Sequence, residues 1–335
     1  MTPASPSQQL NAAVIGCGRI GGGDAGVDGT EILGHAAAYD RHEGFRLTAC
    51  VEPDEVRRRA FMTRWKVARG FATIEEALAD GVDWDVVSVC TPTPRHAADL
   101  RALLATSTRA VWCEKPLTGS AADSAEIVAA YAAAGKPLAV NHLRRWHPAM
   151  ARLKAEIEAG EWGAVRAVAG YYTKGVRNNG SHLIDLIQYL IGPVGAASPA
   201  VARVDHDPDD PTIDAVLRTE DGTPVHLVGG DARDYALFEL EIIAAGGSIR
   251  IERSGRAIRL RRPVDDPLAP GYRMLGDGDI IEVGSGDAFL RAADNLYRAV
   301  VDGAPLACDG ATALATERIC DALIARAGAW QQETL

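Results

Sequence analysis

The sequence predicts an α/β fold: an N-terminal doubly wound parallel sheet, followed by a C-terminal α+β half with a large, mostly antiparallel open sheet. Three observations carry this. Short apolar runs alternate with helical patterns up to about residue 140. A glycine motif, Gly16-Cys17-Gly18-Arg19-Ile20-Gly21, follows the first of those runs directly. Beyond about residue 200 the alternation gives way to strand-like runs separated by turn signals.

In order, residues 12–15 form a short apolar strand that ends in glycines, and Phe45–Val51 is the next strand, closed by Glu52. Residues 54–65 read as a helix. Residues 86–90 are a third buried strand, running into Thr91-Pro92-Thr93-Pro94, and 97–104 are helical. Ala110–Cys113 is a strand followed by Glu114-Lys115-Pro116; 120–134 is an Ala-rich helix and 137–140 a further strand. Strands alternating with helices of this length imply βαβ units and a parallel sheet. In the second half, Val165–Tyr172 is a strand and Ser181–Ile191 an amphipathic helix. Turn pairs at Asp221-Gly222, Gly246-Gly247 and Ser254-Gly255 then mark hairpins. Residues 262–279, rich in Pro, Gly and Asp, are expected to be a long loop. Ala288–Val301 and residues 311–327 are the last two helices. The texture changes near residue 142, which divides the chain into domains 1–142 and 143–335.

Composition narrows the function. At 335 residues two domains are the natural count, and 47% hydrophobic with 24% charged residues excludes general disorder. Lys and Arg total 35 against 45 Asp and Glu, a net charge of −10. With no long basic run, neither nucleic acid nor an anionic membrane is an expected partner. No apolar run approaches the roughly 20 residues that span a bilayer. Residues 1–9 are polar and lack an apolar signal core, so a cytoplasmic setting is expected. The six cysteines form no C-x-x-C pair, which fits reduced thiols. No H-E-x-x-H or Cys/His cluster points to a metal, and no G-x-S-x-G elbow points to a hydrolase.

The motifs carry more. In G-x-G-x-x-G after a strand, Gly16 permits the tight turn and Gly18 lets a pyrophosphate approach the backbone. Gly21 lets the following helix pack, with Arg19 and Ile20 leading into its N-terminus. Glu52, ending the second strand, is placed to bind ribose hydroxyls. A carboxylate repels a 2′-phosphate, so NAD is expected. Arg57, Arg58 and Arg59 just downstream keep NADP open. The gap from Gly21 to Glu52 is long because residues 22–34 look inserted. Lys115 stands at the carboxyl edge of the parallel sheet, where such folds bind ligands. Partial desolvation there suits a lysine to proton transfer, although spacing alone fits a surface lysine equally well. Ser181 is placed to cap the helix that starts with His182; Asp185, three residues on, shares the histidine's face. A lone histidine at a helix start is more often structural.

Together these residues resemble the Gfo/Idh/MocA oxidoreductase family. The markers are Gly16-Cys-Gly-Arg-Ile-Gly21, Thr91-Pro-Thr-Pro-Arg-His96, Glu114-Lys-Pro116, Arg144-Arg-Trp-His-Pro148, Gly180-Ser-His-Leu-Ile-Asp185 and Asp309-Gly-Ala-Thr-Ala-Leu314. The resemblance implies a Rossmann domain for NAD(P) and a substrate domain whose open sheet makes homodimers or homotetramers. It also implies that the last helix, 311–327, packs back on the first domain and that Lys115–Pro116 is cis. It maps catalysis onto Lys115 and His182. A sugar or polyol secondary alcohol would lose hydride to nicotinamide C4, His182 would accept the hydroxyl proton, and Lys115 would steady the same oxygen.

Thr91, Pro92, Thr93, His96 and Glu114 join the glycine motif, Glu52 and Lys115 as expected cofactor contacts. Arg145, Tyr172, Lys174, Asn178 and Asp185 are expected at the substrate. Lys174 with Arg177 suits an anionic, nucleotide-linked sugar. The sequence departs from the family at Asn178, where many members carry aspartate. An amide takes up no proton at neutral pH, so an Asp–His relay is not available from that side. The alternatives are an inositol or polyol dehydrogenase, an NAD-assisted glycosidase and a non-catalytic NAD-binding regulatory protein.

Overall fold

The computed structural model describes residues 9–23, 32–81, 83–196, 198, 201–284 and 287–333. The chain divides into two units, Met1–His147 with Ser285–Leu314, and Pro148–Gly284 with Ala315–Leu335.

Strands that are apolar at nearly every position must be covered on both faces, and this builds the first sheet. Its strands are β1 (Leu10–Ile15), β2 (Phe45–Val51), β3 (Arg69–Phe71), β4 (Val86–Val89), β5 (Ala110–Cys113) and β6 (Leu138–Val140). All pairings are parallel, in the order β3-β2-β1-β4-β5-β6. The order reverses between β1 and β4, which opens a crevice at the strands' carboxyl ends. The connecting helices are α1 (His35–Arg41), α2 (Glu55–Trp65), α3 (Ile74–Ala79), α4 (Thr93–Leu104) and α5 (Ala121–Ala133). Their starts follow local chemistry. Asp54, Thr73 and Ser120 accept the amides of Arg57, Glu76 and Asp123 at 2.8, 3.2 and 3.2 Å. Prolines 92 and 94 let α4 start earlier than its apolar pattern suggests. Trp84, Trp112, Tyr39 and Tyr131 fill the core.

The second unit holds α6 (Pro148–Glu158), β7 (Val165–Tyr172), α7 (Ser181–Ile191), β8 (Val194–Ala196), β9 (Val201–Asp207), β10 (Asp210–Thr219), β11 (Pro224–Gly229), β12 (Phe238–Ala244), β13 (Gly247–Glu252), β14 (Ala257–Arg261), β15 (Pro263–Asp265), β16 (Arg273–Leu275) and β17 (Asp279–Glu282). Nine of these strands form one sheet in the order β17-β14-β13-β12-β7-β11-β10-β8, with β9 on β10. Only the β7–β11 pairing is parallel among the described ladders of this sheet. Helix α7 buries Leu183, Ile184, Leu186, Ile187 and Leu190. Gly170 of β7 allows its close approach, since a Cβ there would lie 2.7 Å from Leu183.

Three expectations change. Residues 262–279 are not one long loop: β15 and β16 pair through Val264 and Met274, and Arg261 ties the hairpin base to the carbonyls of Gly276 and Leu275 at 2.8 and 3.1 Å. The segment that rejoins the first unit is Ser285–Leu314, which carries α8 (Ala288–Val301). Of the last helix, α9 (Gly310–Glu333), only the first turn belongs with it. The break after His147 also lies later than residue 142. Among the described residues no helix is long and apolar enough to cross a membrane.

Candidate active site

The glycine turn leaves β1 with Gly16 at φ +90 and its amide 2.8 Å from Val51 O. A Cβ on Gly16 would lie 2.6 Å from the Cys90 carbonyl, and one on Gly21 would fall on Gly16 O. The protein's own packing therefore demands these two glycines. Gly18 differs, because among the described residues a Cβ there would meet nothing within 4 Å. The middle of the turn is open, the condition a pyrophosphate needs to reach the backbone. The turn thus fits a dinucleotide.

Among the described residues, no long helix directly follows the motif. Arg19–Gly23 makes one short turn, and the chain is described again from Ile32, before α1. The inserted stretch 22–34 lies in part outside the described residues, at 24–31.

Glu52 is buried beside this turn. Its Oε2 accepts the Cys17 amide at 2.9 Å, and its Oε1 accepts that of Asp54 at 3.1 Å and faces Arg57 at 3.4 Å. Arg58 donates to the Glu52 carbonyl at 2.6 Å, and Arg59 pairs with Glu55 at 2.5 Å. The hydrogen bond with Cys50, together with burial, pushes the Cys17 thiol well above its usual range and keeps it protonated.

At the end of β4, Thr91 donates to Asp99 at 2.7 Å, and Pro92 and Thr93 open α4. His96 is buried, with Nε2 2.7 Å from Thr91 O and Nδ1 2.8 Å from Pro116 O. It braces the exit of β4 against the loop after β5. The Lys115–Pro116 bond is cis.

Beneath Lys115 lies a polar cluster that motif reading missed. Asn141 donates to Glu114 Oε1 at 2.6 Å, and His35 Nε2 stands 3.1 Å from the same oxygen. The Lys115 amide donates to Glu114 Oε2 at 3.2 Å. His35 Nδ1 meets Ser88 Oγ at 2.8 Å, and Tyr39 OH meets that oxygen at 2.8 Å. Burial alone would raise the Glu114 carboxyl. The hydrogen bond and charge of His35, the Asn141 amide and the Lys115 charge outweigh it and hold the carboxyl below its usual range. The available signal for His35 was a histidine opening an otherwise small, buried run, His35-Ala36-Ala37-Ala38. Arg145 sits half-buried in the turn Leu143–Trp146 after β6, which Trp146 anchors by donating to Asn295 at 2.9 Å.

In the second unit the loop before α7 is held by the sheet. The amides of Lys174, Arg177 and Asn178 donate to Asp205 Oδ2, Asp210 Oδ1 and Asp210 Oδ2 at 2.8, 2.7 and 2.8 Å. Asn179 donates to the carbonyls of Thr173 and Leu237 at 3.1 and 2.9 Å. Burial raises the Asp210 carboxyl above its usual range despite those two amides. His182 is half-buried at the start of α7, and Asp185 is buried one turn on.

Three sequence expectations shift here. Tyr172 does not line a cleft: it is fully buried, and its hydroxyl both donates to Ile213 O at 2.9 Å and accepts from Ile213 N at 2.8 Å. Ser181 does not cap α7; it is the first helical residue and donates to Asn178 O at 3.2 Å. The Arg177 guanidinium is committed to Asp321 Oδ1 at 2.7 and 3.1 Å, whereas Lys174 is exposed.

The first unit therefore gathers the glycine turn, Glu52, Thr91, His96, Glu114 and Lys115 at one sheet edge. The second holds Lys174, Asn178, His182 and Asp185 around one loop and helix start.

Residues 10–142 match the family model of the Gfo/Idh/MocA oxidoreductases, an oxidoreductase family with an NAD-binding Rossmann fold. Inositol 2-dehydrogenase of Rhizobium meliloti (strain 1021) is 24% identical over 338 residues, spanning 93% of this chain and 94% of that protein. An oxidoreductase from Agrobacterium radiobacter, solved with NAD+, L-tartaric acid and magnesium, is 18% identical; the match covers 96% of this chain and 97% of that one at a TM-score of 0.76. The WlbA dehydrogenase from Bordetella pertussis, solved with NADH and UDP-GlcNAcA, is 19% identical, covering 96% and 97% at a TM-score of 0.74. At these identities the solved structures speak for the fold.

Proposed function

We propose, from the match of residues 10–142 to the Gfo/Idh/MocA family of NAD-binding oxidoreductases, that this chain oxidises a secondary hydroxyl of a sugar or polyol with NAD. The observation that carries the reading is the placement of the open glycine turn and of Glu114-Lys115 on one carboxyl edge, after strands β1 and β5 of the same sheet. The turn Gly16–Gly21, Glu52 and the Thr91–Thr93 segment would hold the cofactor. Bound NAD supplies the hydride acceptor. Lys115 donates a hydrogen bond to the reacting oxygen and offsets its growing negative charge, and His182 accepts the hydroxyl proton. Asn178 binds a hydroxyl but relays no proton.

The environment of Glu52 supports NAD over NADP. The three arginines close enough in sequence to meet a 2′-phosphate each have a partner: the Glu52 carboxylate, the Glu52 carbonyl and Glu55.

Within the substrate class an uncharged sugar or polyol comes first. Arg177, one of the two cations that favoured an anionic substrate, is neutralised by Asp321. The R. meliloti relative's name agrees with that class. A nucleotide-linked or otherwise anionic sugar is the second reading, and it rests on Lys174 and Arg145.

The test is turnover with both classes by the wild-type protein and by Lys115→Ala and His182→Ala. Each variant should bind NAD yet lose about 100-fold or more in kcat. Undiminished turnover in either would remove that residue from the reaction.

A further inference from the structure

Lys174 has φ 72 and ψ 47, and Gly175 follows at φ +80. Two successive left-handed residues, one of them a lysine, persist only where the surroundings fix them. Here they are fixed by side chains that the proposed chemistry does not use. The two oxygens of Asp210 take successive amides, Arg177 and Asn178, at 2.7 and 2.8 Å. Asp205 takes the amides of Lys174 and Ala232 at 2.8 and 3.0 Å through one oxygen. Its other oxygen accepts the Thr212 hydroxyl at 2.8 Å, and that hydroxyl in turn accepts the Gly175 amide at 2.9 Å. The fit is close, because a Cβ on Gly175 would fall on the Asp210 carboxylate. Four loop amides are thus received by two carboxylates and one hydroxyl of β9 and β10, immediately before the helix that carries His182.

We propose that Asp205 and Asp210 are positioning residues: by receiving the amides of the 174–178 loop they set the place and orientation of His182. The proposal rests on the reading of His182 as the proton acceptor, and its physical basis is charge. A carboxylate offers acceptors to two N–H groups at once, and charge-assisted hydrogen bonds are roughly twice as strong as neutral ones. An asparagine at 210 would turn an N–H against one of those amides.

The experiment compares full-length wild type with Asp210→Asn and, as a milder variant that keeps the core shape, Thr212→Val. It reads amide exchange at 174–178, the imidazole chemical shifts of His182 (assigned by their loss in His182→Ala), kcat and NAD affinity. In Asp210→Asn the loop amides should exchange about tenfold faster or more, the imidazole signals should move, and kcat should fall about tenfold or more, with NAD affinity within about twofold of wild type. Thr212→Val should move the same readouts in the same direction, by less.

Unmoved imidazole signals beside faster loop exchange would overturn the proposal, as would unchanged exchange. If Asp210→Asn does not fold, Thr212→Val decides by the same criteria. Full turnover in His182→Ala would instead defeat the catalytic reading, and the exchange and imidazole shifts would still decide the positioning role.

Discussion

Glu114 shows how neighbours set the charge of one buried side chain. Burial pushes its carboxyl up, but His35, Asn141 and Lys115 hold it below the ordinary value of 4.5. A carboxyl depressed in the folded state stabilises the protein fully above its unfolded value. That stability is lost as pH falls through the lower folded value. Glu114→Gln should therefore cost about 1–3 kcal/mol at neutral pH in urea unfolding, and the gap to wild type should close under acid conditions below the folded value. A gap independent of pH would show that charge plays no part. At this scale sequence reading placed Glu114-Lys115 just after the strand Ala110–Cys113, where the structure has them. It did not reach His35, whose partners Ser88 and Glu114 lie 53 and 79 residues away. It misplaced Tyr172, since an aromatic residue ending a strand reads alike whether its hydroxyl faces a cleft or the backbone of Ile213.

The glycine turn works as an element, and its three glycines separate by cause. Gly18→Ala should fold with a melting temperature within about 2 °C of wild type, because the new methyl meets no atom of the described residues within 4 Å, yet NAD should bind about tenfold more weakly or worse. Gly16→Ala forces φ +90 on a residue with a Cβ and drives that Cβ at Cys90, so its first effect should be lost stability, by about 1–3 kcal/mol or more. Calorimetry with NAD titration separates the two, and a Gly18→Ala protein with full affinity would contradict the open-turn argument. Elements defined by their own composition were legible. Phe45–Val51, Ala110–Cys113, Val165–Tyr172, Ser181–Ile191 and Ala288–Val301 fall where their apolar patterns put them. Arg69–Phe71 and Val194–Ala196 did not announce themselves, because each is broken by a glycine, whereas the equally short Leu138–Val140 is apolar throughout. The β15–β16 hairpin was hidden by Pro, Gly and Asp, which mark turns without saying what flanks them.

For the whole molecule, the alternation of strands and helices fixed the parallel sheet, and the glycine motif fixed which strand stands first at its switch point. Less visible was that Ser285–Leu314 rejoins the first unit, since an amphipathic helix records that it has a partner but not which one. Cofactor choice also belongs here. With Glu52 at the turn and Arg57, Arg58 and Arg59 engaged, NAD should bind at least about tenfold more tightly than NADP, and equal affinity would defeat that argument.

The most direct test of the central claim is NADH formation across a panel of uncharged sugars, polyols and nucleotide-linked sugars, by wild type and by Lys115→Ala and His182→Ala. The predicted result is NADH formed in step with oxidation of one secondary alcohol by wild type, and a loss of about 100-fold or more in both variants while NAD still binds. Glycosidic cleavage without net NADH, or NAD binding with no turnover of any alcohol, would contradict it.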